Sequence, residues 1–205
     1  MIDIDPRPTD CLLVIDVQND FCDGGALAVP DGEAVVAPIN ALMARFAHTV
    51  LTQDWHPARH ASFASEHPGQ APYVVIDMPY GEQTLWPDHC IQGSEGARFH
   101  ARLEIDRARS AIRKGFRREI DSYSAFREND RRTATGLAGY LREAGTTRVV
   151  CVGLALDFCV RYSAEDARAA GFDCVVLEGA CRAIDLGGSL VAARTSLQDA
   201  GVRLA

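Results

Sequence analysis

No run of apolar residues in this chain approaches the roughly 20 needed to cross a bilayer. The opening residues Met1-Ile2-Asp3-Ile4-Asp5-Pro6 lack the basic and apolar regions of a secretory signal. We therefore expect a cytoplasmic protein with no membrane partner. No basic stripe is present either: 21 Lys and Arg against 28 Asp and Glu leave a formal net charge of -7. The densest basic stretch, Arg113-Lys114-Gly115-Phe116-Arg117-Arg118, is followed at once by Glu119 and Asp121. That balance argues against nucleic acid, because nothing is concentrated to neutralise phosphates. No C-x-x-C occurs, and seven cysteines without regular spacing indicate neither a disulfide framework nor a zinc ribbon. Cys11, Cys151 and Cys174 lie in or beside apolar runs, where a thiol is usually a small buried hydrophobe. Also missing are the G-x-S-x-G nucleophile elbow, the phosphate loop G-x-x-x-x-G-K-[ST], the dinucleotide G-x-G-x-x-G and the zinc motif H-E-x-x-H.

What is present is the pattern of an α/β protein. With 205 residues, 47% hydrophobic and 24% charged, the chain has the length and composition of one domain with one sizeable core, and we read residues 1–205 as a single unit. Short apolar runs alternate with helical periodicity, the signature of a parallel sheet flanked by helices. Strands are expected at 11–15, 49–52, 110–113, 148–152, 174–177 and 202–204. Helices are expected at about 33–47, 133–144, 158–170 and 189–200. The result is a three-layer α/β/α arrangement around a central parallel sheet of about six strands. Between about 57 and 104 the chain is rich in Pro, Gly and His with little periodicity, and an excursion that long inside a compact domain is usually a lid or binding loop.

This arrangement puts chemistry at one edge. Asp16, Asp54, Lys114 and the segment after Gly153 each follow a strand, and in an open parallel sheet ligands bind outside the carboxyl ends of the strands. Asp54 and His56, one residue apart on an extended segment, point the same way. With His89, they form a carboxylate and two imidazoles suited to a divalent metal that keeps open positions. Cys159 lies at the start of an expected helix, where free N–H groups and the helix dipole favour a thiolate, and a nearby Lys114 acts in the same direction. Asp16 is placed to take a thiol proton and hand it to a leaving group. Taken one at a time, these residues also read as a strand-end cap, a solvated lysine, a turn histidine and a buried helix cysteine.

Five segments occur in order: Asp16-Val17-Gln18-Asn19-Asp20-Phe21, Asp54-Trp55-His56, Trp86-Pro87-Asp88-His89-Cys90, Lys114-Gly115 and Gly153-Leu154-Ala155-Leu156-Asp157-Phe158-Cys159-Val160. Together they resemble the isochorismatase-like cysteine hydrolases and, within them, the nicotinamidases, also called pyrazinamidases. The resemblance runs from about Cys11 to Arg182. It implies a triad of Cys159 as nucleophile, Asp16 as base and Lys114 as its charged partner. It implies one divalent metal, Zn²⁺ first and Fe²⁺ or Mn²⁺ as alternatives, held by Asp54, His56 and His89; His60 stays open between ligand and supporting histidine. It further implies a cis peptide at Leu154-Ala155, an oxyanion hole from the N–H groups of Ala155 and Cys159, and a substrate site formed by Phe21, Trp86, Tyr123 and Leu154. The implied reaction is hydrolysis of nicotinamide to nicotinate and ammonia through a thioester, feeding pyridine-nucleotide salvage. A related amidohydrolase acting on N-carbamoyl or ureido amides is the rival reading, and a non-catalytic metal-binding protein on the same sheet is a reading from another class. Monomer and homo-oligomer both stay open.

Overall fold

The computed structural model describes residues 4–205. Six strands form one parallel sheet: β1 (Asp10–Ile15), β2 (Thr49–Asp54), β5 (Ser110–Lys114), β6 (Arg148–Gly153), β7 (Asp173–Cys181) and β8 (Arg203–Leu204), in the order β5-β2-β1-β6-β7-β8. β1 and β6 are buried at every residue, so these strands read as continuous apolar runs rather than as alternating ones. The period of two still sorts side chains to opposite faces. Leu12, Val14, Val150, Val152 and Leu177 join one core, while Cys11, Leu13, Ile15, Cys151 and Val176 join the other. Helix α1 (Val36–Met43) covers the first face with Ile39 and Leu42. Helices α2 (Leu137–Glu143), α3 (Arg161–Ala169) and α4 (Ser189–Asp199) cover the second with Leu137, Leu141, Ala164, Ala167, Ala193 and Leu197. The expected three-layer α/β/α architecture with a six-stranded parallel sheet is what the structure has. No helix among the described residues is long and apolar enough to cross a membrane.

The elements differ from expectation mainly at their ends. Helix α2 begins at Leu137 rather than at 133, because Thr133 and Thr135 are committed to turns. Thr133 donates through N and Oγ1 to Asp130, and Thr135 donates to the carbonyls of Phe126 and Ala125. Helix α1 stops at Met43 and is preceded by a 3-10 turn at Gly32–Val35. A π turn, Leu156–Val160, precedes α3, so Cys159 lies in that turn and not in the helix. The excursion between 57 and 104 contains a hairpin absent from the sequence reading, β3 (Val75–Met78) paired antiparallel with β4 (Gly81–Thr84). Its sequence signal is the run Val74-Val75-Ile76 followed by Pro79-Tyr80-Gly81.

The strand order places the site. The chain builds outward from β1 through β2 to β5, then returns to the other side of β1 with β6 and continues to β7 and β8. The order reverses between β1 and β6, so a crevice opens beyond the carboxyl ends of these two strands. Gly153 ends β6 with φ +116, and a Cβ there would lie 2.1 Å from the Ile15 carbonyl oxygen. Only glycine allows the two strand ends to approach this closely, and the Leu154 N–H bonds that same carbonyl at 2.9 Å.

Candidate active site

Three strand ends deliver Asp16, Asp54 and Lys114 to the crevice, and Asp54 and Lys114 are direct partners in the β2–β5 register. Lys114 is fully buried. Its ammonium lies 2.8 Å from Asp16 Oδ2, donates to Asp54 Oδ1 and to the Ser122 carbonyl (3.0 Å), and approaches Cys159 Sγ at 3.5 Å. Asp16 has left-handed backbone (φ 49). Thr52 Oγ1 donates to its Oδ1 at 2.5 Å, and its other oxygen receives no hydrogen bond other than the lysine's ion pairing. Asp16, Asp54 and Cys159 each place a ligand atom within 4.8 Å of the others.

Burial acts on each group in turn. Burial pushes the Cys159 thiol well above its ordinary pKa; Lys114 pulls it down, while Asp16 and Asp54 push it further up. A thiol raised in this way needs a base to ionise it, the part expected of Asp16. Burial also raises Asp16 above the usual carboxylate range, against the pull of Lys114, which makes it a stronger proton acceptor. For Asp54, burial is outweighed by Lys114 and His56, and its pKa falls well below the ordinary value. Burial disfavours the Lys114 cation, yet Asp16 and Asp54 outweigh it and hold the ammonium charged.

A second cluster shares Asp54. Asp54, His56 and His89 are all buried, with donor atoms within 4.8 Å of one another. His56 Nε2 and His89 Nε2 lie 3.6 and 3.8 Å from Asp54 Oδ2. His56 Nδ1 donates to the Gly115 carbonyl (2.9 Å) and His89 Nδ1 to the Pro87 carbonyl (2.8 Å). A carbonyl only accepts, so each ring carries a hydrogen on Nδ1 and turns Nε2, the atom a metal would take, toward Asp54; burial disfavours the His56 cation, but Asp54 outweighs it and raises its pKa. Two imidazoles in that orientation beside one carboxylate oxygen make a donor set that fits a divalent ion. His60 is not among these three; with His56 and Asp121 it forms a separate set of buried donor atoms within 4.8 Å of one another. Its Nδ1 pairs with Ser62 Oγ (2.8 Å) and its Nε2 with the Arg117 carbonyl (2.8 Å), so both nitrogens are engaged and the ring packs against His56 at 4.4 Å.

Gly115 is the tightest support of this cluster. It has φ +65, and a Cβ there would lie 2.4 Å from His56 Cε1. Gly115→Ala is expected to push the His56 ring off its carbonyl anchor and, if His56 serves as a ligand, to weaken divalent-metal binding by about 10–100-fold, the range for lost support of a ligating histidine. Isothermal titration of metal-free protein with Zn²⁺ measures this, and unchanged affinity would show that His56 is held by other contacts.

Both clusters open into one narrow cavity lined by Asp54, His89, Ala155 and Cys159 with the rings of Phe21, Trp86, Tyr123 and Phe158. The Leu154–Ala155 peptide is cis. The Ala155 N–H finds no acceptor among the described residues, as a donor reserved for a ligand would. Leu154 is fully buried in the core and does not line the cavity; Phe158, Leu27, Ile184 and Asp121 do, and none of them stood out in the sequence as a cavity residue. Gln18, a residue of the first sequence motif with no role legible from spacing, holds the end of β2. Its Oε1 accepts from the Asp54 N–H (2.8 Å), and its Nε2 donates to the Asp54 carbonyl (2.9 Å). Asp20 accepts from the Cys90 N–H at 2.6 Å and so anchors the loop that carries His89. The strongest overlooked signal concerns Lys114: it is the only lysine in a chain with 20 arginines.

Residues 10–204 match the isochorismatase domain model. The nicotinamidase of Acinetobacter baylyi is 51% identical over 192 residues, covering 94% of this chain and 90% of the relative. Among solved structures, PnC1 from L. infantum in complex with nicotinate superposes with a TM-score of 0.84 at 44% identity, covering 97% of this chain and 92% of that one. The pyrazinamidase of Pyrococcus horikoshii in complex with zinc superposes with a TM-score of 0.79 at 32% identity, covering 97% and 99%.

Proposed function

The chain belongs to the isochorismatase family, and from that membership and the geometry of its cavity we propose that it hydrolyses nicotinamide to nicotinate and ammonia through a thioester on Cys159. The observation that carries this reading is the position of Asp54. One of its oxygens faces Lys114 beside Cys159, and the other faces the two histidines. Nucleophile and metal cluster therefore meet in one cavity with aromatic walls. A flat heteroaromatic amide suits such a space, its ring between aromatic side chains and its carbonyl at the thiol.

Asp54, His56 and His89 would hold the divalent ion, and the ion we assign is zinc, as in the Pyrococcus horikoshii relative. When bound, it supplies a Lewis acid to the pyridine nitrogen. The chain's own residues do the rest. Asp16 takes the Cys159 proton, and sulfur forms a bond to the carboxamide carbon while the carbonyl π pair moves to oxygen. The N–H groups of Ala155 and Cys159 receive that oxyanion. As the carbonyl re-forms, the C–N bond breaks and Asp16 returns its proton to nitrogen, releasing ammonia. Water then attacks the thioester with Asp16 again as base, the C–S bond breaks, and the sulfur recovers its proton as nicotinate leaves. Throughout, Lys114 holds Asp16 in place and balances its charge.

Ammonia release from nicotinamide tests this. The purified protein is expected to turn over nicotinamide, to lose activity on chelation and to regain it with Zn²⁺. A metal-loaded protein inert to nicotinamide but active on N-carbamoyl amides would sink the assignment.

A further inference from the structure

Every residue of the two strands of hairpin β3–β4 is exposed or half-exposed except Gln83, which is fully buried. Its side-chain amide reaches into the base of the aromatic wall. Nε2 has three acceptors in reach for its two hydrogens, the Thr84 carbonyl at 2.7 Å and Tyr123 Oη and Asp121 Oδ2, both at 2.9 Å, while Oε1 accepts from Asn129 Nδ2 (3.1 Å) and Tyr80 Oη (3.2 Å). Asn129 Oδ1 in turn accepts from the Tyr123 N–H at 3.0 Å. Tyr123 is thereby gripped at both ends, its hydroxyl directly by Gln83 and its backbone through Asn129. The Trp86 indole N–H donates to the same hydroxyl at 3.1 Å, so the orientation of Trp86 depends on where Tyr123 Oη is held. On its other side, Trp86 meets the ring of Tyr73, which precedes β3, edge-on at 6.1 Å.

We infer that Gln83 is a positioning residue for the substrate ring: it fixes Tyr123 and, through the shared hydroxyl, Trp86, so that the hairpin and the aromatic wall are set as one unit. Two cavity residues, Asp121 and Tyr123, accept directly from this buried amide, and a third, Trp86, is linked to it through Tyr123 Oη. A buried amide with partners on both its donor and acceptor sides has one satisfied orientation, and it transmits that orientation to the rings. Without it, packing alone would place the two rings, and ligand binding would have to order them. Cys159 and Asp16 make no hydrogen bond to Gln83, Asp121 or Tyr123, and Lys114 meets the network only at one remove, through Ser122, whose carbonyl accepts from the ammonium (3.0 Å) and whose N–H donates to Asp121 Oδ1 (2.7 Å), so the larger effect is expected on ring placement.

This inference rests on the hydrolase reading, and steady-state kinetics on nicotinamide separate the two. Gln83→Met, which keeps volume and removes every bond, is expected to raise KM about tenfold with kcat within about threefold of wild type, the cost of ordering two freed side chains. Tyr123→Phe removes the same bond from the other end and is expected to raise KM in the same way. The double variant is expected to be no worse than the more affected single one, because both cut one connection. A folded Gln83→Met protein with unchanged KM, a fall confined to kcat, or KM effects that multiply in the double variant would each overturn the inference. If Gln83→Met does not fold, an unchanged KM in Tyr123→Phe overturns it. Wild-type protein that releases no ammonia removes the hydrolase reading and this inference with it. Normal wild-type turnover beside unaltered variants removes only the inference.

Discussion

Cys159→Ala is expected to lower kcat for ammonia release from nicotinamide by at least about 10⁴-fold, the loss seen when a covalent nucleophile is deleted. The fold should tolerate the change, because alanine leaves only the space of one sulfur in a turn where Cys159 is already 7% exposed. Residual activity is expected to be small, since the oxyanion donors and the cavity remain but nothing attacks the carbonyl carbon. Cys159→Ser is expected to be nearly as inactive. Burial works against ionising any nucleophile here, and a hydroxyl is a far weaker acid than the thiol that burial already raises. Rapid acid quench of wild-type protein during turnover, followed by mass spectrometry, should reveal the nicotinoyl adduct on the peptide carrying Cys159. A Cys159→Ala protein that keeps more than about one hundredth of wild-type kcat would point to direct attack by water and would remove the thioester from the mechanism.

Lys114→Met is expected to be the most destabilising substitution in the site. The methionine stem fills the space of the lysine stem, but the cation between Asp16 and Asp54 is lost. Breaking a buried charge cluster from one side costs about 3–5 kcal/mol, which for a chain of this size lowers Tm by roughly 6–20 °C. Arginine is not expected to rescue it. The ammonium meets Asp16, Asp54, the Ser122 carbonyl and Cys159 around one compact point, where a planar fork does not fit.

The pH dependence separates electrostatics from packing, and metal-free protein gives the cleanest comparison. In the wild type, Asp54 is depressed below its ordinary 3.8, so its stabilisation is present above that value and is lost as pH falls through the folded pKa. Lys114 is raised above 10.5, so its stabilisation is complete below 10.5 and is lost only as pH rises through its still higher folded value. Without the lysine, the two facing carboxylates raise one another, and protonation then favours the folded variant. The Tm gap between wild type and Lys114→Met should therefore be widest near pH 7 and should narrow toward pH 4. A gap constant over that range would mean that lost packing, not lost charge, is responsible.

Much of this was legible along the chain, and the reason is local. Leu12-Leu13-Val14-Ile15 and Val149-Val150-Cys151-Val152 are apolar at every position, which suits a strand covered on both faces, and the helical segments between such runs leave the strands parallel. A residue that closes or follows such a run must then lie at the carboxyl edge, so the sequence alone assigns Asp16, Asp54 and Lys114 to one edge. The Asp54-Trp55-His56 spacing likewise carries its own geometry, because a period of two puts both ligating side chains on one side of an extended segment.

Other properties depend on neighbours distant in sequence. Nothing near Cys159 in the chain reports its burial beside Asp16, Asp54 and Lys114, so helix-start reasoning counted what lowers the thiol's pKa and missed the burial and the two carboxylates that raise it. His60 resembles a ligand by proximity to His56, but the carbonyl of Arg117, 57 residues away, occupies its Nε2. The role of Gln83 exists only because a hairpin folds back onto residues 121–129. The sequence by itself determined the strands, their hydrophobic faces and the edge where the reactive side chains emerge, since these follow from local periodicity and chain direction. Only the tertiary structure decided which strands are adjacent, which groups are protonated and which nitrogens are free, because desolvation and hydrogen-bond partnership are set by contacts across space that no local pattern encodes.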